Sequence, residues 1–417
     1  MRLIPAVASC ALAALLTLGC SASPEQSQGQ RPILFAPGLG MSTLRVDVEP
    51  EGISFDFLVP VMNPDTPALD FSIDSGLPRG SVNNVAPWLA LEIDINTGAA
   101  SNSPGVQVAP VSFGENFAQE CPRYLGMVEQ LEARGWQVDE SVVCAPFDYR
   151  YPPGENTFAI DLRSRVTKLF QDTGQKSVLA CHSQGCLMTL HALRTLDQKW
   201  VVEHVHSLFS FAGQFSGCSD CLSWAFSPGW SWDPEDSSAS PVDPTWVGEM
   251  ALGLQEDVYA DEVLYRGTVL HRGTDLYRDT EYRATDTVQL LKDQGALAMS
   301  EATKRYSLDF QPWFQRGNRF EQELPIPTRF IFGTDLSTVI GYDLSSPNQA
   351  RPIMSDGDGG DSSFMNRAPK NWTRSVACDM RELPGVNHME IITNPVAINL
   401  LSQIGSVAAQ EVKCFGP

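Results

Sequence analysis

The residues best suited to chemistry lie in Ala180-Cys-His-Ser-Gln-Gly185, between an apolar run and an amphipathic one. Ser177 to Cys181 reads as a short strand, Ser183 as a sharp turn and the stretch from Gln184 as a helix. A serine at such a corner projects its hydroxyl above a sheet, beside helical N–H groups that have no intrahelical partner. Those N–H groups and the helix dipole favour an oxyanion developing over the corner. The pattern is Gly-x-Ser-x-Gly with Cys181 in place of the first glycine and Gly185 as the second.

A serine hydroxyl is a weak nucleophile until a base takes its proton, and the base needs a carboxylate to hold it. On a strand-to-helix corner of this kind the chain order is serine, acid, histidine. Of the six histidines, His182, His191, His204 and His206 stand too near Ser183 to follow an acid on a later strand, and His271 falls in a polar inserted stretch. That leaves His388, in Leu383-Pro-Gly-Val-Asn-His-Met-Glu390, a loop ahead of the last helical run. For the acid, residue types alone leave Asp335 and Asp358 level. Asp335 follows an apolar strand and Gly333, whereas Asp358 lies in Ser355-Asp-Gly-Asp-Gly-Gly-Asp-Ser362. This Asp/Gly run could also be read as a calcium loop. It lacks the spacing and downstream glutamate of an EF-hand, so no metal is expected, and no cofactor. Pro37-Gly-Leu-Gly-Met41, directly after the first strand, frees the backbone to approach a ligand and could add a second oxyanion N–H.

The elements that must carry these residues alternate. Strands are expected at 31–36, 141–145, 177–181, 206–212 and 328–335, and helices at 121–135 and 158–170. Such alternation predicts an α/β-hydrolase fold, a mostly parallel sheet with flanking helices over residues 31–417. Two stretches interrupt it. Residues 42–109 are rich in Pro, Asp and Asn without helical period and read as an irregular lid or binding loop. Their apolar pieces, Phe55-Asp-Phe-Leu-Val-Pro-Val-Met62 and Pro87-Trp-Leu-Ala-Leu-Glu92, suit lipid contact or core packing. Residues 218–323 read as a cap insertion, with helices near 284–294 and 296–306.

Residues 1–20 read as a signal peptide: Arg2, an apolar run from Ile4 to Leu18 that is short for a bilayer span, then small residues. Leu18-Gly-Cys20 resembles a lipoprotein processing site that would lipidate Cys20, and Cys20-Ser-Ala22 is the competing small-residue cleavage site. With 21–30 as a polar leader, the protein is expected to be exported, either secreted or lipid-anchored at the cell envelope. Export permits disulfides. Cys378 with Cys414 would tie down the C-terminus, and Cys218-Ser-Asp-Cys221 could close a tight disulfide. Cys181 and Cys186, flanking the corner, are expected as buried thiols packing strand against helix. The 417 residues, 43% hydrophobic, suffice for one large domain with insertions. A formal charge of −21 argues against a nucleic-acid partner and against docking on anionic lipid through a basic patch, leaving apolar contact with a membrane open.

Further motifs recur in order along the chain: Pro37-Gly-Leu-Gly40, Trp88-Leu-Ala-Leu91, Gly105-Val-Gln-Val108 with Phe113-Gly114, Phe147-Asp-Tyr-Arg-Tyr-Pro152, Phe332-Gly-Thr334, Asp356-Gly-Asp-Gly359 and Leu383–Ile391. Through them the chain resembles the lecithin:cholesterol acyltransferase family, which includes a lysosomal phospholipase A with transacylase activity. The resemblance implies Asp358 as the triad acid with Ser183 and His388, demotes Asp335, and assigns the oxyanion N–H groups to Leu39 and Gln184. It implies a phospholipase A/O-acyltransferase acting on glycerophospholipids through a covalent acyl-enzyme, with water, an alcohol or a sterol as acceptor and peripheral membrane contact. The alternatives are an esterase for soluble esters and a non-catalytic lipid-binding member of the fold. The chain departs from the family at Gly360-Asp361, where Thr-Val is usual, and at Tyr149, where tryptophan is usual. Its lid region has no cysteines, whereas animal members close theirs with a disulfide.

Overall fold

Ile33–Ala36, Val142–Cys144, Ser177–His182 and Thr328–Thr334 are buried along their whole length. A strand apolar on both faces has to be covered on both, which is the situation of a parallel sheet between helical layers. The computed structural model describes residues 29–49, 52–58, 86–215, 265–270, 277–282, 286–293, 297–310, 324–344, 351–367, 369 and 377–407. The expected signal peptide, Cys218, Cys221, Cys414 and most of the expected cap lie outside these residues, and of Cys378 the backbone alone is described.

In chain order the described strands are β1 (Ile33–Ala36), β2 (Leu44–Val48), β3 (Ile53–Phe57), β4 (Leu91–Ile93), β5 (Ala100–Asn102), β6 (Val106–Pro110), β7 (Val142–Cys144) and β8 (Ser177–His182). There follow β9 (Val205–Phe211), β10 (Tyr265–Leu270), β11 (Tyr277–Tyr282), β12 (Thr328–Thr334), β13 (Leu336–Leu344), β14 (Arg351–Gly357) and β15 (Ala377–Pro384). Six of them form one sheet in the order β15-β12-β9-β8-β1-β7, parallel at every pairing. Along β1, Leu34 and Ala36 join the core on one face and Ile33 and Phe35 the core on the other, the two-residue period of a strand. The first core takes the helices Phe158–Thr173 and Gln184–Thr195, and the second takes Leu125–Glu132 and Pro395–Gly405. Gly174 ends the Phe158–Thr173 helix in the left-handed region, at φ 66°. Helix and strand ends fall within a few residues of those expected, and the α/β-hydrolase architecture is present.

The first insertion differs from the sequence reading, and in the second the two expected helices are present. The stretch 42–109, expected to be irregular, is ordered in its described part. The strands β3-β2-β6 form an antiparallel sheet and β4-β5 a hairpin. Alternating residues Leu44, Val46, Val48, Phe55 and Phe57 are buried, so these apolar positions belong to the core rather than to a lipid-facing surface. Period-two alternation over five residues is a weak signal among Pro and Asp, which is why the strands are not legible in the sequence. Within the expected cap, the strands β10 and β11 join a four-stranded sheet, β11-β10-β13-β14, whose last strand leads directly into Asp358. The helices Thr287–Asp293 and Leu297–Phe310 pack together, and Gly98 in the β4-β5 turn lies against the second of them. A Cβ on Gly98 would stand 2.6 Å from the Glu301 carbonyl oxygen.

One buried cation ties this periphery to the sheet. Arg150, 1% exposed, forks onto Asp148 through Nε to Oδ1 at 2.9 Å and Nη2 to Oδ2 at 2.6 Å. Its Nη1 donates to the Leu89 carbonyl at 2.9 Å and Nη2 to Asn102 Oδ1 at 2.7 Å, on either side of the β4-β5 hairpin. Burial works against the guanidinium charge, yet Asp148 outweighs it and holds the Arg150 pKa above its ordinary value. Breaking one side of such a buried pair strands the other charge. Arg150→Ala is therefore expected to lose about 3–5 kcal/mol in equilibrium urea unfolding. Lys168→Ala, at an exposed i,i+4 pair with Asp172, is expected to lose under about 1 kcal/mol.

Candidate active site

The strand β8 leads into the helix Gln184–Thr195 through Ser183 at φ 53° and ψ −130°. Holding a non-glycine residue there costs about 1–3 kcal/mol. Three backbone hydrogen bonds keep the corner in place: Ser183 N–H donates to Phe211 O at 3.1 Å, and its carbonyl accepts from Cys186 N–H at 3.0 Å and Gln214 N–H at 3.3 Å. Gly185 seats the helix on the end of β1. A Cβ there would strike the Pro37 carbonyl oxygen and lie 2.6 Å from that of Ala36. Gly38 closes the same seam from the other side, its absent Cβ 3.0 Å from His182 Nδ1 and 3.1 Å from the Ser183 Cβ. The turn that carries Leu39 thus lies against Ser183, and Gln184 is the first residue of the helix. Cys181 and Cys186 are not the free thiols expected. The corner folds them to a Cα–Cα distance of 4.8 Å and they are joined as a disulfide. Cys121 and Cys144, 6.2 Å apart at Cα, form another.

His388 and Asp358 come together on neighbouring loops. His388 Nδ1 stands 3.0 Å from Asp358 Oδ2, and the His388 backbone N–H donates to the Asp358 carbonyl at 2.8 Å. Asp358 is fully buried. Its Oδ1 accepts from the N–H groups of Gly360 (3.0 Å) and Asp361 (2.6 Å), and its Oδ2 also from Asn366 Nδ2 at 3.4 Å. Burial pushes the carboxyl pKa up, but His388 and these donors together hold it below the usual range, so the group stays ionised. The two loops meet over Gly333 at the end of β12, where a Cβ would strike the Val386 carbonyl and come within 2.9 Å of the Asp358 Cβ. Asp335, the rival acid, sits elsewhere. It is exposed, at φ 66° between β12 and β13, and its N–H donates to Asp356 Oδ1. Asp358, Asp361 and His388 each bring one ligand-type atom within 4.8 Å of the others. The two N–H groups on Asp358 Oδ1 and the imidazole on Oδ2 arrange it as the partner of an acid–base pair.

Two residues here have no role in the sequence reading. His182, which chain order sets aside as a base, is buried and joins the three loops of the site. Tyr124 Oη lies 2.9 Å from its Nδ1, and its Nε2 lies 2.9 Å from the His388 carbonyl oxygen. Gly38 N–H donates to the same Tyr124 hydroxyl at 2.7 Å. The hydroxyl proton must then go to Nδ1, leaving Nε2–H to donate to His388. Burial above all, with the adjacent His388 ring, pushes the His182 pKa down to about 3, so it stays neutral. The other is Asp361, 1% exposed, with Oδ2 3.4 Å from His388 Nδ1. Its one sequence signal is the departure at Gly360-Asp361.

Two outcomes follow from this geometry. Gly185→Ala should push the helix from β1 and lower kcat/KM about 10²-fold, with the far-ultraviolet circular dichroism unchanged. Between about 3 and 6.5 the unfolded chain protonates His182 and the folded one does not, so stability falls as pH drops through that window. His206, pushed down to about 4 chiefly by burial, adds to the same slope. His182→Gln should therefore flatten the loss of urea midpoint below neutral pH without abolishing it.

A profile of the lecithin:cholesterol acyltransferase family matches residues 84–227, which include Ser183 but not Asp358 or His388. The mouse lysosomal phospholipase A and acyltransferase is 32% identical over 137 residues, 30% of this chain and 33% of the relative. The rat phosphatidylcholine-sterol acyltransferase is 26% identical over 204 residues, 46% of this chain and 45% of the relative. The chain thus matches under half the length of these curated relatives. Among solved structures, a chain of the Tle4–Tli4 complex superposes with a TM-score of 0.50 at 12% identity, covering 91% of this chain and 99% of that one, a likeness of fold. Through residues 84–227 this α/β-hydrolase chain is related to the lecithin:cholesterol acyltransferase family.

Proposed function

We propose that the protein is a serine-dependent phospholipase A/O-acyltransferase acting on glycerophospholipids. Ser183 Oγ attacks the ester carbonyl carbon while His388 Nε2 takes its proton, and Asp358 holds Nδ1–H and stabilises the imidazolium. The N–H groups of Leu39 and Gln184 receive the oxyanion. His388 then returns the proton to the departing lyso-lipid oxygen, leaving an acyl ester on Ser183. Water, an alcohol or a sterol attacks that ester by the same steps in reverse, and the acyl group leaves as a fatty acid or a new ester. The observation that carries the reading is Ser183 at φ 53° with its corner bonded through His182 to the loop of the His388–Asp358 pair. The lipid substrate is drawn from the relatives, whose names are those of a phospholipase and acyltransferase and a phosphatidylcholine-sterol acyltransferase.

Export, with secretion or anchoring at the cell envelope, belongs to the same proposal. The disulfides Cys121–Cys144 and Cys181–Cys186 suit an oxidising compartment. Among the described residues no helix is long and apolar enough to cross a membrane. Access to lipid by peripheral contact is part of the proposal.

Phosphatidylcholine liposomes, incubated with and without an acceptor alcohol, test the reading. Fatty acid release is expected without the alcohol and alcohol ester with it. Ser183→Ala should abolish both, and Asp358→Asn should fall far below Asp335→Asn, which should match the parent. Full activity in Ser183→Ala would sink the proposal. Turnover of short monomeric esters alone would make the protein an esterase for soluble substrates, and liposome binding without product a lipid-binding module.

A further inference from the structure

We infer that Asp361 is a second carboxylate partner of His388, so that two acids instead of one position and charge-balance the base. The inference rests on Ser183 and His388 acting as proposed above. Asp361 Oδ2 lies 3.4 Å from His388 Nδ1, against 3.0 Å for Asp358 Oδ2, so Nδ1 is hydrogen-bonded to Asp358 while Asp361 stands beside it at ion-pair distance. The aim of this carboxylate is built in. Gln214 Nε2 donates to Asp361 Oδ1 at 3.1 Å, which leaves Oδ2 toward the imidazole, and Gln214 N–H in turn donates to the Ser183 carbonyl. Asp361 and Asp358 also lock each other: Asp361 N–H donates to Asp358 Oδ1, and Asp358 N–H to the Asp361 carbonyl at 3.0 Å.

Gly360 makes the arrangement possible. A Cβ there would stand 2.8 Å from His388 Cγ and 3.0 Å from its Cβ, so any larger residue would force the ring away from the acid loop. The two positions at which this chain departs from the Thr-Val of the family it resembles are thus coupled, the glycine admitting the ring and the aspartate facing it. Two buried carboxylates repel each other unless a cation lies between them. When His388 Nε2 takes the Ser183 proton, the imidazolium is that cation, and neither acid needs to become protonated. The pair is therefore better satisfied in the transition state than at rest, which is what raises a rate. His182, whose ring packs against the imidazole, is titratable too and stays neutral.

The test uses the full chain with Asp361→Val, the size-conserving Asp361→Asn, Asp358→Asn and the double Asn variant. A fluorophosphonate probe reports Ser183 activation by intact mass at each pH, and a short p-nitrophenyl ester reports turnover. Without the second charge the imidazolium is less stable, so both Asp361 variants should move the acidic limb of both profiles down by about 1 pH unit. With Asp361 able to hold Nδ1–H, Asp358→Asn should lose only about 10²-fold, and the double variant should reach the roughly 10⁴-fold loss of a base with no acid. An unmoved acidic limb in Asp361→Asn, or an Asp358→Asn variant already as slow as the double, overturns the inference while leaving the serine reading intact. A parent protein whose Ser183 is never labelled overturns both.

Discussion

Ser183 occupies a backbone conformation that L-residues avoid, and the architecture around it consists largely of what keeps it there. Its own N–H and carbonyl are bonded to the end of β9 and to the loop beyond. Its flanks are seated by Gly185, where no side-chain atom fits, and by Gly38, where one would be tight. A strained corner relaxes unless its neighbours over-determine it. Here the parallel neighbours β1 and β9, on either side of β8, supply that constraint. The Cys181–Cys186 disulfide ties the last turn of strand to the first turn of helix around the same residue.

From this corner the remaining parts of the site are reached by short polar links. Gly38, Tyr124, His182 and the His388 carbonyl form one buried chain of hydrogen bonds, running from the proposed oxyanion turn to the proposed base. Each donor in it has one acceptor, so the protonation state and tautomer of His182 follow from its neighbours. Fully satisfied buried networks of this kind specify a single arrangement, because any slip leaves a polar group unpaired away from water. The acid loop is held in the same manner, by N–H groups on Asp358 and by Gln214 on Asp361.

The outer layers depend on the sheet by different means. Arg150, on the segment after β7, reaches the Leu89 carbonyl ahead of the β4-β5 hairpin and the Asn102 side chain at its end, so the motif Phe147-Asp-Tyr-Arg150 is structural in its Asp and Arg. Trp88 packs on Phe55 and Leu89 is buried, which gives the apolar piece around residue 88 a packing role. The β10-β11 strands join the hairpin that delivers Asp358. Through these two strands the segment between β9 and β12 is joined to the acid loop.

Much of this is legible in the residues themselves. Continuous apolar runs punctuated by glycine locate the parallel strands. Ser183 is conspicuous because a polar residue between a buried strand and an amphipathic helix contributes little to packing on either side. Chain order singles out His388. Residue types do not separate Asp335 from Asp358, since both follow a strand end and a glycine; that separation is a matter of which loop β12 and β14 bring beside His388. The strands of residues 44–57 are hidden because short alternation among Pro and Asp carries little signal. The links of His182 to Tyr124, spanning 58 residues, and to His388, spanning 206, have no local signature at all. The sequence by itself determined the sheet, the corner and the kinds of side chain available for chemistry, because propensity and burial pattern act over a few residues. Only the tertiary structure decided which carboxylates face the imidazole and which histidine binds the loops together, because those contacts join segments that meet nowhere along the chain.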